Sequence, residues 1–194
     1  PEDTSGEKIK PKITDYLQPG CGYGGSCFPK DVMAISALAK EVGVPAPILS
    51  SVIDVNDRQP SVMLDILKKE TPNLMQKNIL MLGLSFKPDT DDVRESVSLK
   101  LLNLLIGKVK SITAHDPIAI PNAKRALGTD TDIEFVEHWE AALTKADIII
   151  ISTNWPDYAN LKRMLVNEVG KIVFDTRSLL KKSDFPNNLY LTVN

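Results

Sequence analysis

The chain has 194 residues, 43% of them hydrophobic and 25% charged, with a formal net charge of −2. That is length enough for one large or two small cored domains, and the near-balanced, interspersed charge argues against a nucleic-acid partner or an anionic membrane surface. No apolar run reaches the roughly 18 residues of a membrane helix. Two cysteines and two scattered histidines do not make a metal pattern, so a cytoplasmic protein with free thiols and no metal is expected.

The opening PEDTSGEKIKPK is polar and has no signal-peptide core. Residues 1–20 read as loop and suit a flexible or cut end. The stretch GYGGSCFPKD, Gly22 to Asp31, sets three glycines before Cys27 and a helix start just after it, with Pro29 in the first turn. Val32, Ile35, Leu38, Ala39 and Val42 recur at helical spacing, and Gly43 with Pro45 and Pro47 marks the stop. A second helix begins near Pro47, with Ile48, Leu49, Val52, Ile53 and Asn56 on one face. Pro60 is expected to kink or break it before Val62, Met63, Ile66 and Leu67 resume the pattern. Thr71-Pro72-Asn73 then divides the chain into a cysteine loop with a helical region, 1–72, and a second domain, 73–194.

That second domain alternates. Strands are expected over 77–85, 109–117, 133–136, 147–153, 171–176 and 189–193. Helices are expected over 96–107, 120–128, 137–146 and 159–169. Apolar strands separated by helices predict an α/β, Rossmann-like, doubly wound parallel sheet. Ligands of such sheets bind beyond the carboxyl ends of the strands, here just after Leu84, Ala114, Ser152 and Asp175.

Three stretches reach that edge or the cysteine loop. A helix N-terminus and the nearby Lys30 would favour a thiolate at Cys27, and glycines let the backbone approach a ligand. The residues alone leave a nucleophile and an inert buried thiol equally open. Asp31 reads either as a partner for water or a base, or as a first-turn acid favouring the helix dipole. GLSFKPDTDDVRES, Gly83 to Ser96, lacks the dinucleotide glycine fingerprint. It brackets its turn with Lys87 and Arg94, and Asp92 is expected to cap the following helix. FDTRS brings Arg177 to the crevice that Lys87 faces. Asp116 stands where a Rossmann acid binds ribose, but without the fingerprint it reads as a turn residue of His115-Asp116-Pro117. Trp139 and Trp155 read as packing, and spacing leaves Asn56 undecided between a satisfied amide and a site residue.

YLQPGCGYGGSCFPKD, VNDRQ, GLSFKPDTDDVRES, HDP and FDTRS, running from about Tyr16 to the end, resemble the nucleotide-sugar dehydrogenases, the UDP-glucose/GDP-mannose dehydrogenase family. The likeness is closest to its UDP-glucose members. The resemblance implies NAD-dependent, two-step oxidation of the sugar C6 alcohol to a carboxylate. In it Cys27 is the nucleophile, passing through a thiohemiacetal and a thioester, and Asp31 helps activate water. Tyr16, Leu17, Gln18, Pro19, Gly20 and Gly24 would line the UDP-sugar. Phe86, Lys87 and Arg177 would hold it, and Lys30 and Arg94 would contact the NAD cofactor. The family's N-terminal NAD-binding domain, with its fingerprint and catalytic lysine, is not in this sequence. The chain is therefore expected to be a C-terminal portion, inactive alone, whose partners are that domain, the UDP-sugar and a second copy docked through the central helices. The family's arginine before the Tyr16 motif is replaced by a stretch carrying Lys10 and Lys12. A GDP-mannose or other nucleotide-sugar dehydrogenase, and a non-catalytic UDP-sugar-binding or dimerising module, are the alternatives.

Overall fold

A computed structural model describes residues 20–128 and 131–193. Two helices come first, α1 (Phe28–Glu41) and α2 (Pro47–Glu70). α1 carries proline in its first turn, Asp31 near its start and Lys40 near its end, each placed to suit the helix dipole or its free N–H groups. Then follow β1 (Asn78–Leu82), α3 (Val97–Leu105), β2 (Ser111–His115), α4 (Ile120–Leu127), β3 (Ile133–Phe135), α5 (Glu140–Leu143), β4 (Ile148–Ile151), α6 (Leu161–Met164), β5 (Ile172–Asp175) and β6 (Leu189–Leu191).

The strands form one sheet in the order β3-β2-β1-β4-β5-β6, and every pairing is parallel. This is the doubly wound order expected from the alternation, with the chain reversing direction across the sheet between β1 and β4. Alternation within the central strands feeds two cores. Ile79, Met81, Ile148 and Ile150 pack on the face covered by α3 and the end of α2. Leu80, Leu82, Ile149 and Ile151 pack on the opposite face with Trp139, Trp155 and Tyr158. The packing role expected for both tryptophans therefore holds.

Three local expectations are corrected. α2 runs for 24 residues with Pro60 inside it, so the break, one of the two outcomes expected there, does not occur. The ring removes the N–H that would bond the Asn56 carbonyl, but Asn56, Pro60, Met63, Leu64 and Leu67 share one buried stripe, packed against α3. That burial outweighs one missing bond. The helix expected over 137–146 shrinks to α5, followed by a turn in which Lys171 Nζ donates to the Leu143 and Ala146 carbonyls (3.0 and 2.8 Å). The helix expected over 159–169 becomes a 3-10 segment, Pro156–Asn160, and the single turn of α6. Asn188 Nδ2 takes the Glu168 carbonyl at 2.9 Å and ties the remainder to the β6 end of the sheet. Among the described residues no helix is long and apolar enough to cross a membrane.

Candidate active site

Cys27 sits immediately before Phe28, at the N-terminus of α1. Its thiol is exposed, whereas that of Cys21 is buried, and both are free. The Asp31 N–H donates to the Cys27 carbonyl at 2.9 Å, closing the first turn. The Ser26 hydroxyl lies 3.7 Å from the sulfur. The Asp31 carboxylate lies 3.3 Å from Lys30 Nζ, both side chains being exposed. Lys30, Asp31 and the thiol thus share one solvent-facing turn.

Three clamps hold the glycine stretch before Cys27. The Asn56 amide grips Tyr23 at two points: the Tyr23 N–H donates to Oδ1 (2.8 Å) and Nδ2 donates to the Tyr23 carbonyl (3.1 Å). Asn56 is thus a satisfied amide with a positioning effect on the loop. Gly22, at φ +115°, makes room for it, since a methyl there would lie 2.6 Å from Asn56 Oδ1. On the sheet side the Gly25 N–H donates to the Arg94 carbonyl at 2.8 Å. A methyl at Gly24 would lie 2.5 Å from the Glu95 carbonyl oxygen, so the two loops meet backbone to backbone. Glu95 itself holds φ at +52°, a conformation a non-glycine residue keeps only when its surroundings demand it.

Arg177 makes the third clamp. Its Nε donates to the Ser152 carbonyl at 2.8 Å, and its fork reaches the Gly22 and Phe86 carbonyls at 3.4 and 3.5 Å. It joins the loops after β5, β4 and β1 to the glycine stretch at the carboxyl edge of the sheet. Gly20 lies against the Arg177 guanidinium and Gly24 against Phe86, and the guanidinium is largely engaged with backbone oxygens. Lys87 is exposed, with Nζ 5.5 Å from the Phe86 ring centroid. Tyr16, Leu17, Gln18, Pro19, Lys10 and Lys12 lie outside the described residues.

Asp92 is not the cap of α3; Ser96 occupies that position. Instead Asp92 receives the Arg94 fork, Nε to Oδ1 at 3.0 Å and Nη2 to Oδ2 at 2.8 Å, together with the Arg94 N–H at 2.9 Å. The hydrogen bonds from Arg94 hold the Asp92 carboxyl below its ordinary range. The hydrogen bonds and charge of Asp92 raise Arg94 in turn. The pairing was hidden because Asp92 and Arg94 are separated by a single residue, a spacing that means nothing until the loop folds.

Asp116 is not a simple turn residue either. It is 1% exposed and accepts from donors on three segments. Its position after β2 was the available signal, but its partners were not readable. A cleft of about 590 Å³ opens between Gly20, Gly22 and Tyr23 and the α2 residues Ile48, Val52 and Asn56. Among the described residues no group of side chains is arranged to hold a metal ion.

Comparison with known proteins accords with this geometry. The UDP binding domain of the UDP-glucose/GDP-mannose dehydrogenase family matches residues 80–182, and the central domain of the same family matches residues 4–58. A UDP-glucose 6-dehydrogenase of Haloferax volcanii is 36% identical over 87% of this chain and 38% of its own length. One from Bacillus subtilis is 35% identical over 84% of this chain and 36% of its own, so the chain spans well under half the length of these relatives. Among solved structures, a UDP-glucose dehydrogenase from Pyrobaculum islandicum has a TM-score of 0.80 at 35% identity, covering 92% of this chain and 39% of that one. A GDP-mannose dehydrogenase from Pseudomonas aeruginosa has a TM-score of 0.73 at 25% identity, covering 90% and 41%. The doubly wound sheet, the glycine–cysteine loop over its edge and the matched central and UDP-binding domains agree: this chain belongs to the UDP-glucose/GDP-mannose dehydrogenase family.

Proposed function

We propose that this chain supplies the thiol and the UDP-sugar side of a UDP-glucose 6-dehydrogenase, residues 1–72 carrying the cysteine and the docking helices and 73–194 the UDP-sugar site. The observation that carries the reading is an exposed Cys27 at a helix start, on a loop clamped over the switch point of the sheet. In this reading the C6 aldehyde of the sugar comes to Cys27 Sγ. The sulfur adds to C6, the former carbonyl oxygen takes a proton, and a thiohemiacetal forms. Loss of the C6 hydride to the acceptor that NAD would supply, and of the hydroxyl proton to solvent, then gives a thioester. Water, oriented by Asp31, then attacks the carbonyl carbon; the C–S bond breaks, the thiol is restored and the carboxylate leaves. Gly20, Gly24, Phe86, Lys87 and Arg177 hold the UDP-sugar against this thiol, with Tyr16, Leu17, Gln18 and Pro19 assigned to the same surface.

The residues around Cys27 fit NAD at its phosphates. Lys30 is an exposed cation, and Arg94 keeps Nη1 outside the Asp92 pair, so these two would hold an anionic group arriving beside the thiol. Bound there, NAD supplies the hydride acceptor. The remaining NAD contacts are assigned to an N-terminal domain, and a second copy of the chain to the apolar side of α1 and α2.

Calorimetry on this chain tests the reading. UDP-glucose and UDP should bind and GDP should bind much more weakly, while UDP-glucose with NAD yields no NADH. Equal affinity for GDP would redirect the assignment to a GDP-sugar enzyme. Robust NADH formation by the chain alone would overturn the division of labour proposed here.

A further inference from the structure

In a dinucleotide-binding Rossmann unit, the N–H groups of the turn after β1 face the ligand pyrophosphate, and the acid after β2 faces its ribose. Here the two positions are bonded to each other. Asp116 Oδ2 accepts from the Leu84 N–H (2.8 Å), the Ser85 N–H (3.1 Å), the Ser85 hydroxyl (3.1 Å) and Trp155 Nε1 (3.2 Å). Oδ1 accepts from the Ile118 and Ala119 N–H groups at 3.1 and 2.9 Å. The carbonyls of the same dipeptide are also taken: Ser96 Oγ donates to Leu84 O at 2.7 Å, and Thr153 Oγ1 donates to Ser85 O at 2.6 Å. The next residue leaves this clamp as Phe86, whose N–H donates to the Asp92 carbonyl at 3.2 Å and whose ring lies against Gly25.

We propose that Asp116 is a positioning residue: its buried carboxylate fills the anion position of the β1 turn from within, and so aims Phe86 and Lys87 at the UDP-sugar while closing that turn to any ligand phosphate. The phosphates of the sugar nucleotide must then be met by side chains, the exposed Lys87 foremost, and not by the turn's backbone. This rests on the UDP-sugar reading above. The bonding supports it, because three of the six donors to this 1% exposed carboxylate, the Leu84 and Ser85 N–H groups and the Ser85 hydroxyl, are the groups that the turn would otherwise offer an anion.

Two experiments test it on this chain. In Asp116→Ala, held at a temperature where circular dichroism shows the native sheet, UDP affinity should fall by about tenfold or more, the scale of one lost charge-assisted network. Sodium formate, which can refill the vacated position, should recover affinity and raise the thermal midpoint; sodium chloride at equal ionic strength should do neither, and the parent chain should respond equally to the two salts. Unchanged UDP affinity in the variant, or a response to formate no greater than to chloride, overturns the proposal. Should Asp116→Ala not fold, amide exchange on the parent chain decides. The Leu84 and Ser85 amides should already be protected without ligand, and UDP should add protection at Phe86 and Lys87 only. New protection of Leu84 and Ser85 on adding UDP would place a phosphate in the turn and refute it. A parent chain that does not bind UDP defeats the UDP-sugar reading instead, and a formate-dependent midpoint in the variant then still reports on the anion position by itself.

Discussion

Cys27 and Cys21 flank one glycine-rich loop and meet opposite surroundings. Cys21 is fully enclosed in the core on the α3 side of the sheet, while Cys27 projects from the start of α1. Iodoacetamide should therefore label Cys27 and spare Cys21 in the folded chain, read by mass mapping, and UDP-glucose should slow that labelling. Equal labelling of both thiols would contradict the packing of the loop. The loop's position depends on residues with no chemistry of their own. Gly24→Ala would drive a methyl into the Glu95 carbonyl, a backbone group that cannot rotate aside, and should cost about 1–3 kcal/mol of stability by overpacking. It should also weaken UDP-sugar binding, because relief requires moving the loop that carries Cys27. A variant with the parent thermal midpoint and affinity would mean that the two loops are not locked together.

At the scale of elements, α2 is divided along its length. Its second half buries Met63, Leu64 and Leu67 against the sheet's core. Its first half leaves Ile48 (77% exposed), Val55 (49%) and, further on, Val62 (43%) facing outward. These three recur at seven-residue intervals, the spacing of a helix–helix seam, and Ile35, Leu38 and Val42 of α1 are exposed as well. With a second copy as the proposed occupant, sedimentation equilibrium should show a concentration-dependent dimer. Val55→Asp should shift it to monomer without lowering the monomer's thermal midpoint; a parent chain that stays monomeric at high concentration would rule that occupant out. What sequence could say about elements followed from how each is stabilised. The four consecutive isoleucines of β4 and the strand–helix alternation made a buried parallel sheet legible, because such strands must be covered on both faces. α5 and α6 are shorter than the pattern implies, and the turns after them are held by Lys171 and Asn188, distant along the chain. The same limit hid the site's supports. Cys27, Phe86, Lys87, Arg94 and Arg177 sit in recognisable motifs, whereas the Asn56 grip on Tyr23 spans 33 residues and the Asp116 network joins three loops. Neither leaves a local pattern.

For the molecule as a whole, pH separates two parts of this architecture. His115, at the end of β2, shares a hydrogen bond with the Tyr158 hydroxyl at 2.9 Å and stacks edge-on against that ring. Burial pushes its imidazolium form down from the ordinary value of 6.5, against the opposing pull of Asp116, the Glu137 backbone, Glu140 and Asp157. A histidine whose folded pKa is lowered binds fewer protons than it does unfolded. Its contribution to stability is therefore complete above about 6.5 and is lost as pH falls below it, with a slope of at most about 1.4 kcal/mol per pH unit. Asp92 works in the same direction but in a lower window: its carboxyl is depressed below 3.8 by Arg94, so its share survives mild acid and disappears only as pH falls through that depressed value. Urea unfolding should thus show a first loss of stability as pH falls below about 6.5 that traces to the Tyr158 side of the sheet. His115→Gln should be less stable at pH 7.5 but should flatten that first step, leaving the strongly acidic one in place. Asp92→Asn should do the reverse, and should in addition free the Arg94 fork beside Cys27. A parent chain with no loss of stability as pH falls below about 6.5, or a His115→Gln chain with an undiminished first step, would show that the imidazole is not excluded from protonation by the packing of β2 against Tyr158.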